Sequence, residues 1–236
     1  MTRPKYQSVM LKLSGEMLGG GQHSIDGEAL SLVAGELAEL TEQGVQVSVV
    51  IGGGNIWRGA AATGWDMDRA NADYMGMLAT VINGLALQGI LENKYNVYSR
   101  VMSAIAMQEL AEPYIRRKAI KHLRKGRIVI FAGGTGNPYF TTDTAASLRA
   151  REIGAEIIFK GTKVNGIYDS DPVVNPNARK LDQLTYLDVI SKKLKVMDAT
   201  AITMCMEANI PIYVFKLEKG SGSKALNGTS NGTLVI

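Results

Sequence analysis

Short runs of β-branched and aliphatic residues alternate with longer segments whose apolar side chains recur every three to four residues. Three stretches share one layout: EQGVQVSVVIGGG (42–54), RKGRIVIFAGG (124–134) and EIGAEIIFKG (152–161). In each, a helical pattern stops at a glycine (Gly44, Gly126, Gly154). A nearly all-apolar run follows, and a second glycine closes it (Gly52, Gly133, Gly161). The first glycine suits the position after a helix, where positive φ is needed. Runs apolar on both faces suit parallel strands covered by helices on either side. A fourth run, 9–13, also ends at glycine, in LKLSGE.

The helical segments carry faces. Leu30, Val33, Leu37 and Leu40 line the first, with Asp26 placed as its N-cap. Tyr74, Leu78, Val81 and Leu85 line the next. The alternation predicts an α/β fold, a three-layer α/β/α sandwich with a mainly parallel central sheet. No low-complexity linker divides the chain, so 1–236 is expected to be one domain. The Gly/Ser/Asn-rich stretch 219–233 reads as a surface loop before a last strand, 233–236.

Composition sharpens this picture at one point. The chain holds 26 glycines in 236 residues, against about 17 at the usual frequency of roughly 7%. In open parallel sheets, ligands bind outside the carboxyl ends of the strands. The repeated layout would bring four glycine-rich loops to that edge. Glycine lets backbone N–H groups approach an anion closely, and a following helix adds positive potential. Gly52–Gly54 and Gly133, Gly134 and Gly136 fit such phosphate cradles; each also fits a plain tight turn. The dipeptide Gly-Lys is absent, so there is no P-loop, and no G-x-G-x-x-G follows a strand.

The net charge of +4 suits anionic small molecules and is too weak to argue for a nucleic acid. The basic stretch RRKAIKHLRKGR (116–127) contains an apolar stripe of Ala119, Ile120 and Leu123 continuing from Ile115, so its cations read as a solvated helix face. Cys205 is the lone cysteine and has no disulfide partner, which points to a reducing compartment. His23 and His122 form no metal-ligand spacing with it. The most apolar stretch, 78–91, is interrupted by Asn83, Gly84, Gln88 and Gly89, and is shorter than the roughly 20 residues a bilayer requires. No signal-peptide pattern opens the chain. The expected location is cytoplasmic, with no membrane partner.

Charged residues flank the glycine loops. Lys12 ends the first strand; its ammonium could meet a transferring phosphoryl group, or it is an edge-strand lysine in water. Arg58 follows GGGNIW and suits bidentate phosphate contact, or is a surface arginine. Asp73 opens an apolar helix; it could accept from a ribose or favour the helix dipole. Asp143 stands at another helix start with the same two readings. Asp169, Asp171 and Pro172 form a turn. Asp198 precedes a further helix, as a cap or as a second functional carboxylate.

In order along the chain, KLSGE (12–16), VIGGGNIWRG (50–59), DYMGMLATVINGLAL (73–87), GTGNPYFTTD (134–143) and KGTKVNGIYDSDP (160–172) resemble the bacterial-type uridylate (UMP) kinases of the amino acid kinase superfamily. LKVMDATA (194–201) and GTLVI (232–236) extend the resemblance, which runs from about residue 8 to the end. Trp57 departs from it, standing where phenylalanine is usual. So do the run TGWDMDRA (63–70) and the C-terminal loop, which lacks an arginine.

The resemblance implies an amino acid kinase-like fold and ATP-dependent phosphorylation of UMP to UDP, with Mg²⁺ carried by the ATP phosphates and no direct protein ligand. Lys12, Leu13, Ser14, Gly15, Gly54 and Arg58 would meet the ATP phosphates. Thr162, Asn165, Tyr168 and Asp171 would meet the adenosine. Gly53, Asp73, Thr135, Gly136, Asn137, Pro138, Tyr139, Phe140, Thr141 and Thr142 would form the UMP site. Lys12, Arg58 and Asp143 would carry the catalysis. The family also implies a homohexamer, activation by GTP and inhibition by UTP. The GTP response would involve Gly20, Gly21, Gln22, His23, Ser24 and Ile25, with Arg100 and Arg127 at matching positions between subunits. The competing readings are another small-acid kinase of the superfamily and a non-catalytic nucleotide-binding protein.

Overall fold

The first strand, β1 (Ser8–Leu13), is buried along its whole length and has neighbours on both sides, β2 (Gln46–Ile51) and β6 (Ile157–Thr162), both parallel to it. This computed structural model describes residues 4–20, 23–59, 66–172 and 174–236. Among them, strand order extends outward on one side of β1 through β2, β5 (Ile128–Ala132), β3 (Ser99–Ser103) and β4 (Glu112–Pro113). On the other side it runs through β6, β10 (Ile212–Lys216), β11 (Thr233–Val235) and β9 (Gln183–Leu184). Only the β10–β11 pair of this sheet is antiparallel. A separate antiparallel pair joins β7 (Ile167–Tyr168) and β8 (Lys180–Leu181).

The period of two along each strand divides the core into two layers. Val9, Leu11 and Leu13 join the cluster under α1 (Gly27–Glu42) and α2 (Arg69–Asn93). Met10 and Ile158 join the opposite cluster, under α3 (Arg116–Arg124), α4 (Thr142–Ile153), α5 (Tyr186–Ser191) and α6 (Ala199–Ala208). The expected three-layer α/β sandwich is therefore present. Gly44, Gly126 and Gly154 follow their helices at φ +80, +69 and +73, as the repeated layout required. Asp26 caps α1, accepting from the N–H groups of Glu28 and Ala29.

Two expectations change. In α2, Val81 is buried and Leu85 half-buried, but Tyr74 and Leu78 lie on the exposed face with Met75 and Ile82. Toward its start the inward stripe instead contains the small and polar residues Gly76, Ala79, Thr80 and Asn83, which meet the loops after the strands. By length and composition alone α2 could cross a membrane; in the fold it covers the sheet and bonds to its loops. The second change is in 219–233, which contains a helix, α7 (Ser221–Leu226). Buried Glu36 accepts from the N–H groups of Gly220 (2.6 Å) and Gly222 (2.7 Å) and from the Ser221 hydroxyl, and so caps this helix from a distant element.

Candidate active site

Going along the chain, strands add on one side of β1 up to β5, and then β6 is laid on its other side. The crevice at such a reversal is where open parallel sheets bind ligands. Lys12 of β1 and Lys160 of β6 are register partners there. Lys12 is only 6% exposed, on a central strand, which removes the edge-lysine reading. Both side chains share the parity of Met10 and Ile158, so they reach toward the start of α4.

Asp143 meets them. Its carboxylate lies 2.6 Å from the Lys12 ammonium and 3.1 Å from that of Lys160. Lys160 also donates to the Val196 carbonyl. Asp143 sits in the first turn of α4, where Thr141 accepts from the N–H groups of Asp143 and Thr144. Burial pushes the Asp143 carboxyl up, but the two ammoniums outweigh burial and hold it below the usual carboxylate range. Burial pulls the Lys160 ammonium below the ordinary lysine value; Asp143 opposes this, and nearby Lys12 adds to it. The trio thus stands at the strand reversal, with the Asp198 carboxylate adding its field at Lys160.

Asp198 is the N-cap of α6, accepting from the Ala201 N–H at 2.9 Å. It also accepts from the hydroxyls of Thr141 and Thr144. It thus locks the start of α4, while Asp143 alone of the two pairs with the lysines. Lys160 was not picked out as a site residue from the sequence. The signal was available: EIIFKG repeats the pattern of LKLSG, a lysine within an apolar run just before the closing glycine.

A cleft of about 330 Å³ opens beside the Gly53 and Gly134 loops. Gly53, Asp73, Thr135, Asn137, Phe140, Thr141 and Thr142 line it, as expected, and Trp57, Thr80 and Gly134 join them. Gly136, Pro138 and Tyr139 do not line it. Gly136 makes its turn at φ +88 against Ala104, and the Tyr139 N–H donates to Asp73 at 2.7 Å. Asp73 is not at a helix start: α2 begins at Arg69, whose guanidinium holds the Asp73 carboxylate one turn later, at 3.0 Å. Trp57 donates its indole N–H to the Ala72 carbonyl at 2.8 Å, so this departure from phenylalanine gains a bond.

A second, polar cleft of about 420 Å³ lies between Gly54, Arg58 and the loop after β1. Gly15 is confined: a Cβ there would stand 2.4 Å from Asn55 Oδ1 and 2.5 Å from the Gly52 carbonyl. Leu13 faces the hydrophobic layer, which leaves its backbone to the loop. Ser14 precedes a single 3₁₀ turn, Gly15–Met17. Arg58 is held by Glu16 and by the Gly54 carbonyl. A third cleft, about 450 Å³, is lined by Thr162, Tyr168 and Asp171 together with Lys192, Lys193 and Lys195. Asn165 is exposed and does not line it.

The residues expected to answer GTP divide. Gly20, His23 and Ser24 line the second cleft; Ile25 packs on the α1-side core. Gly21 and Gln22 lie outside the described residues. Arg100 and Arg127 belong to the amino ends of β3 and β5, the edge opposite the glycine loops. Arg100 pairs there with Glu92 and Glu112, and Arg127 with His122. A single chain does not bring the two groups together.

A mainly parallel sheet with buried lysines at its strand reversal and glycine loops on three clefts defines a phosphotransferase of one class. The sequence model of the amino acid kinase family matches residues 8–216, and the chain belongs to that family. Its fold is similar to the UMP kinase of Bacillus anthracis, 40% identical, with TM-score 0.94 over 98% of this chain and 96% of that one. The UMP kinase of Ureaplasma parvum is 41% identical, with TM-score 0.92 over 98% and 99%. The uridylate kinase of Archaeoglobus fulgidus is 26% identical, with TM-score 0.75 over 97% and 99%. The resemblance to bacterial-type uridylate kinases read from the motifs therefore holds.

Proposed function

We propose that the protein is a UMP kinase, a nucleoside monophosphate kinase that moves the γ-phosphoryl group of ATP onto UMP and yields UDP and ADP for pyrimidine nucleotide biosynthesis. The observation that carries this reading is the Lys12–Asp143–Lys160 cluster at the strand reversal. In this reading the whole chain, 1–236, acts as one domain.

The acceptor is a phosphate monoester with a second pKa of about 6, so much of it is already a dianion at neutral pH. It needs no general base. The barrier is the approach of two polyanions. Lys12 and Lys160 neutralise charge on the transferring group, and Asp143 fixes both ammoniums before substrate arrives. This is positioning with electrostatic stabilisation. Arg58 would exchange Glu16 for a phosphate. The first cleft, with Asp73 and the aromatic rings of Trp57 and Phe140, takes UMP; the second and third take the phosphates and adenosine of ATP. Mg²⁺ comes with ATP and neutralises part of its phosphate charge. The ion would keep its phosphate and water ligands, as Mg²⁺ commonly does.

The exposed apolar stripe of α2, Tyr74, Met75, Leu78 and Ile82, supports assembly with further copies, and the homohexamer remains our proposal. GTP activation, UTP inhibition and a cytoplasmic location belong to the same proposal, as does the absence of nucleic-acid and membrane partners. Against a kinase for small carboxylic acids stands the acceptor cleft with its aromatic walls, Trp57 and Phe140. Against a storage protein stands the ion-paired lysine pair. Measuring ATP consumption with UMP, CMP, AMP, carbamate, glutamate and acetylglutamate separates these readings. Turnover is expected with UMP foremost; preference for an amino acid, or none with any acceptor, would overturn the proposal.

A further inference from the structure

Two polar side chains are buried on the inner stripe of α2, where an apolar helix would ordinarily pack apolar groups. Asn83 is 0% exposed and Thr80 4%. They stand three residues apart, on one face. Asn83 donates to the Gly52 carbonyl at 2.8 Å and to Asn55 Oδ1 at 2.8 Å, and accepts from Asn55 Nδ2 at 3.0 Å. Asn55 also donates to the Ser24 carbonyl at 2.7 Å, and its Oδ1 occupies the space a Cβ on Gly15 would need. The reciprocal amide pair therefore ties the loops after β1 and β2 to the helix.

Thr80 does the equivalent for the third loop. Its hydroxyl accepts from the Gly133 N–H at 2.8 Å and donates to the Met77 carbonyl at 2.6 Å. The small residues Gly76 and Ala79 let Gly53 seat against α2: a Cβ on Gly53 would lie 2.6 Å from the Gly76 carbonyl. One helix thus sets the separation of loops that come from three strands. Every buried hydrogen-bonding atom here is paired, so removing one partner strands another.

We propose that Asn83 and Thr80 are positioning residues with divided duties: Asn83, through Gly52 and Asn55, sets the loop after β2, which borders both the ATP-side and the UMP-side clefts, and Thr80 sets the UMP-side loop through Gly133. The division rests on the assignment of clefts made under the proposed function. Asn83 lines none of the three clefts; Thr80 borders the first, but its hydroxyl is spent on Gly133 and Met77, so each acts through the loop it holds.

The test is steady-state kinetics with both substrates varied, on Asn83→Ala, Asn55→Ala, Thr80→Val and Thr80→Ser, beside Asp73→Asn. Asn83→Ala is expected to raise KM for both substrates and lower kcat by about five- to tenfold, the scale of one buried hydrogen bond. Thr80→Val is expected to raise KM for UMP with KM for ATP within about twofold, and Thr80→Ser, which keeps the hydroxyl, to retain the parent values. Asn55→Ala breaks the same amide pair from the accessible loop and should reproduce the Asn83→Ala pattern if that variant does not fold. Equal shifts in both KM values from Thr80→Val, a rise in KM for one substrate alone from Asn83→Ala, or a lowered Tm with unchanged kinetics would overturn the proposal. If Asp73→Asn raises KM for ATP and not for UMP, the cleft assignment is what has failed.

Discussion

Lys12 and Lys160 stand opposite each other in the parallel pair of β1 and β6 and share one carboxylate, that of Asp143. Two buried ammoniums at adjacent strand positions repel. Asp143 pairs with both, and the Asp198 carboxylate adds its field at Lys160, so the two ammoniums are held in place before substrate binds.

Lys160 should govern the alkaline limb of the rate profile. Burial holds its ammonium below the ordinary value of 10.5, so it loses its proton earlier than a surface lysine as pH rises. The parent kcat is expected to fall on the alkaline side before pH 10.5. Lys160→Arg keeps the charge and should move that limb upward. A limb unmoved by Lys160→Arg would remove this role.

Asp143 should couple stability to acid. Its folded-state carboxyl lies below the ordinary 3.8, so its contribution is complete above that value and is lost as pH falls through the folded-state value. The Tm gap between parent and Asp143→Asn is expected to be widest near neutrality and to close below about pH 3.8. Calorimetry across pH 2–7 reads it, and a constant gap would contradict the ion-pair account.

Cys205 should be silent. Burial pushes its thiol to about 11, despite its hydrogen bond to the Ser147 hydroxyl, which lowers it. A thiol reagent at pH 8 is expected to label the folded protein slowly and the unfolded protein quickly, one group per chain. Fast labelling of the native state would mean the α4–α6 contact opens readily.

Glu36 should matter to stability and not to turnover. Glu36→Ala strands two N–H groups and a hydroxyl at the start of α7. A loss of about 1–3 kcal/mol is expected, readable by urea unfolding, with kcat for UMP unchanged because α7 lies away from the clefts. No loss would mean that α7 holds without its cap.

Much of this was legible in the chain. The glycines that close each apolar run announced the strand ends, and the helix-ending glycines kept their positive φ. Parallel strands repeat one local pattern, so sequence periodicity suffices to find them. Other features depended on distant partners. The helix α7 was invisible because its cap comes from Glu36, about 185 residues earlier. The stripe of α2 was misjudged because Tyr74 and Leu78 look like core by period alone, while Thr80 and Asn83 look like interruptions. Asp73 was misplaced because Asp68 begins the helix a turn sooner. Lys160 went unread because a lysine in a strand has meaning only beside its register partner.

The most direct measurement is the rate at which UDP forms from ATP and UMP, followed by ³¹P NMR, in the parent and in folded Lys12→Ala. The account predicts UDP as the product and a loss of at least about 10²-fold in kcat, the scale of removing one transition-state donor. An unchanged rate in the variant, or no UDP from the parent, would contradict it.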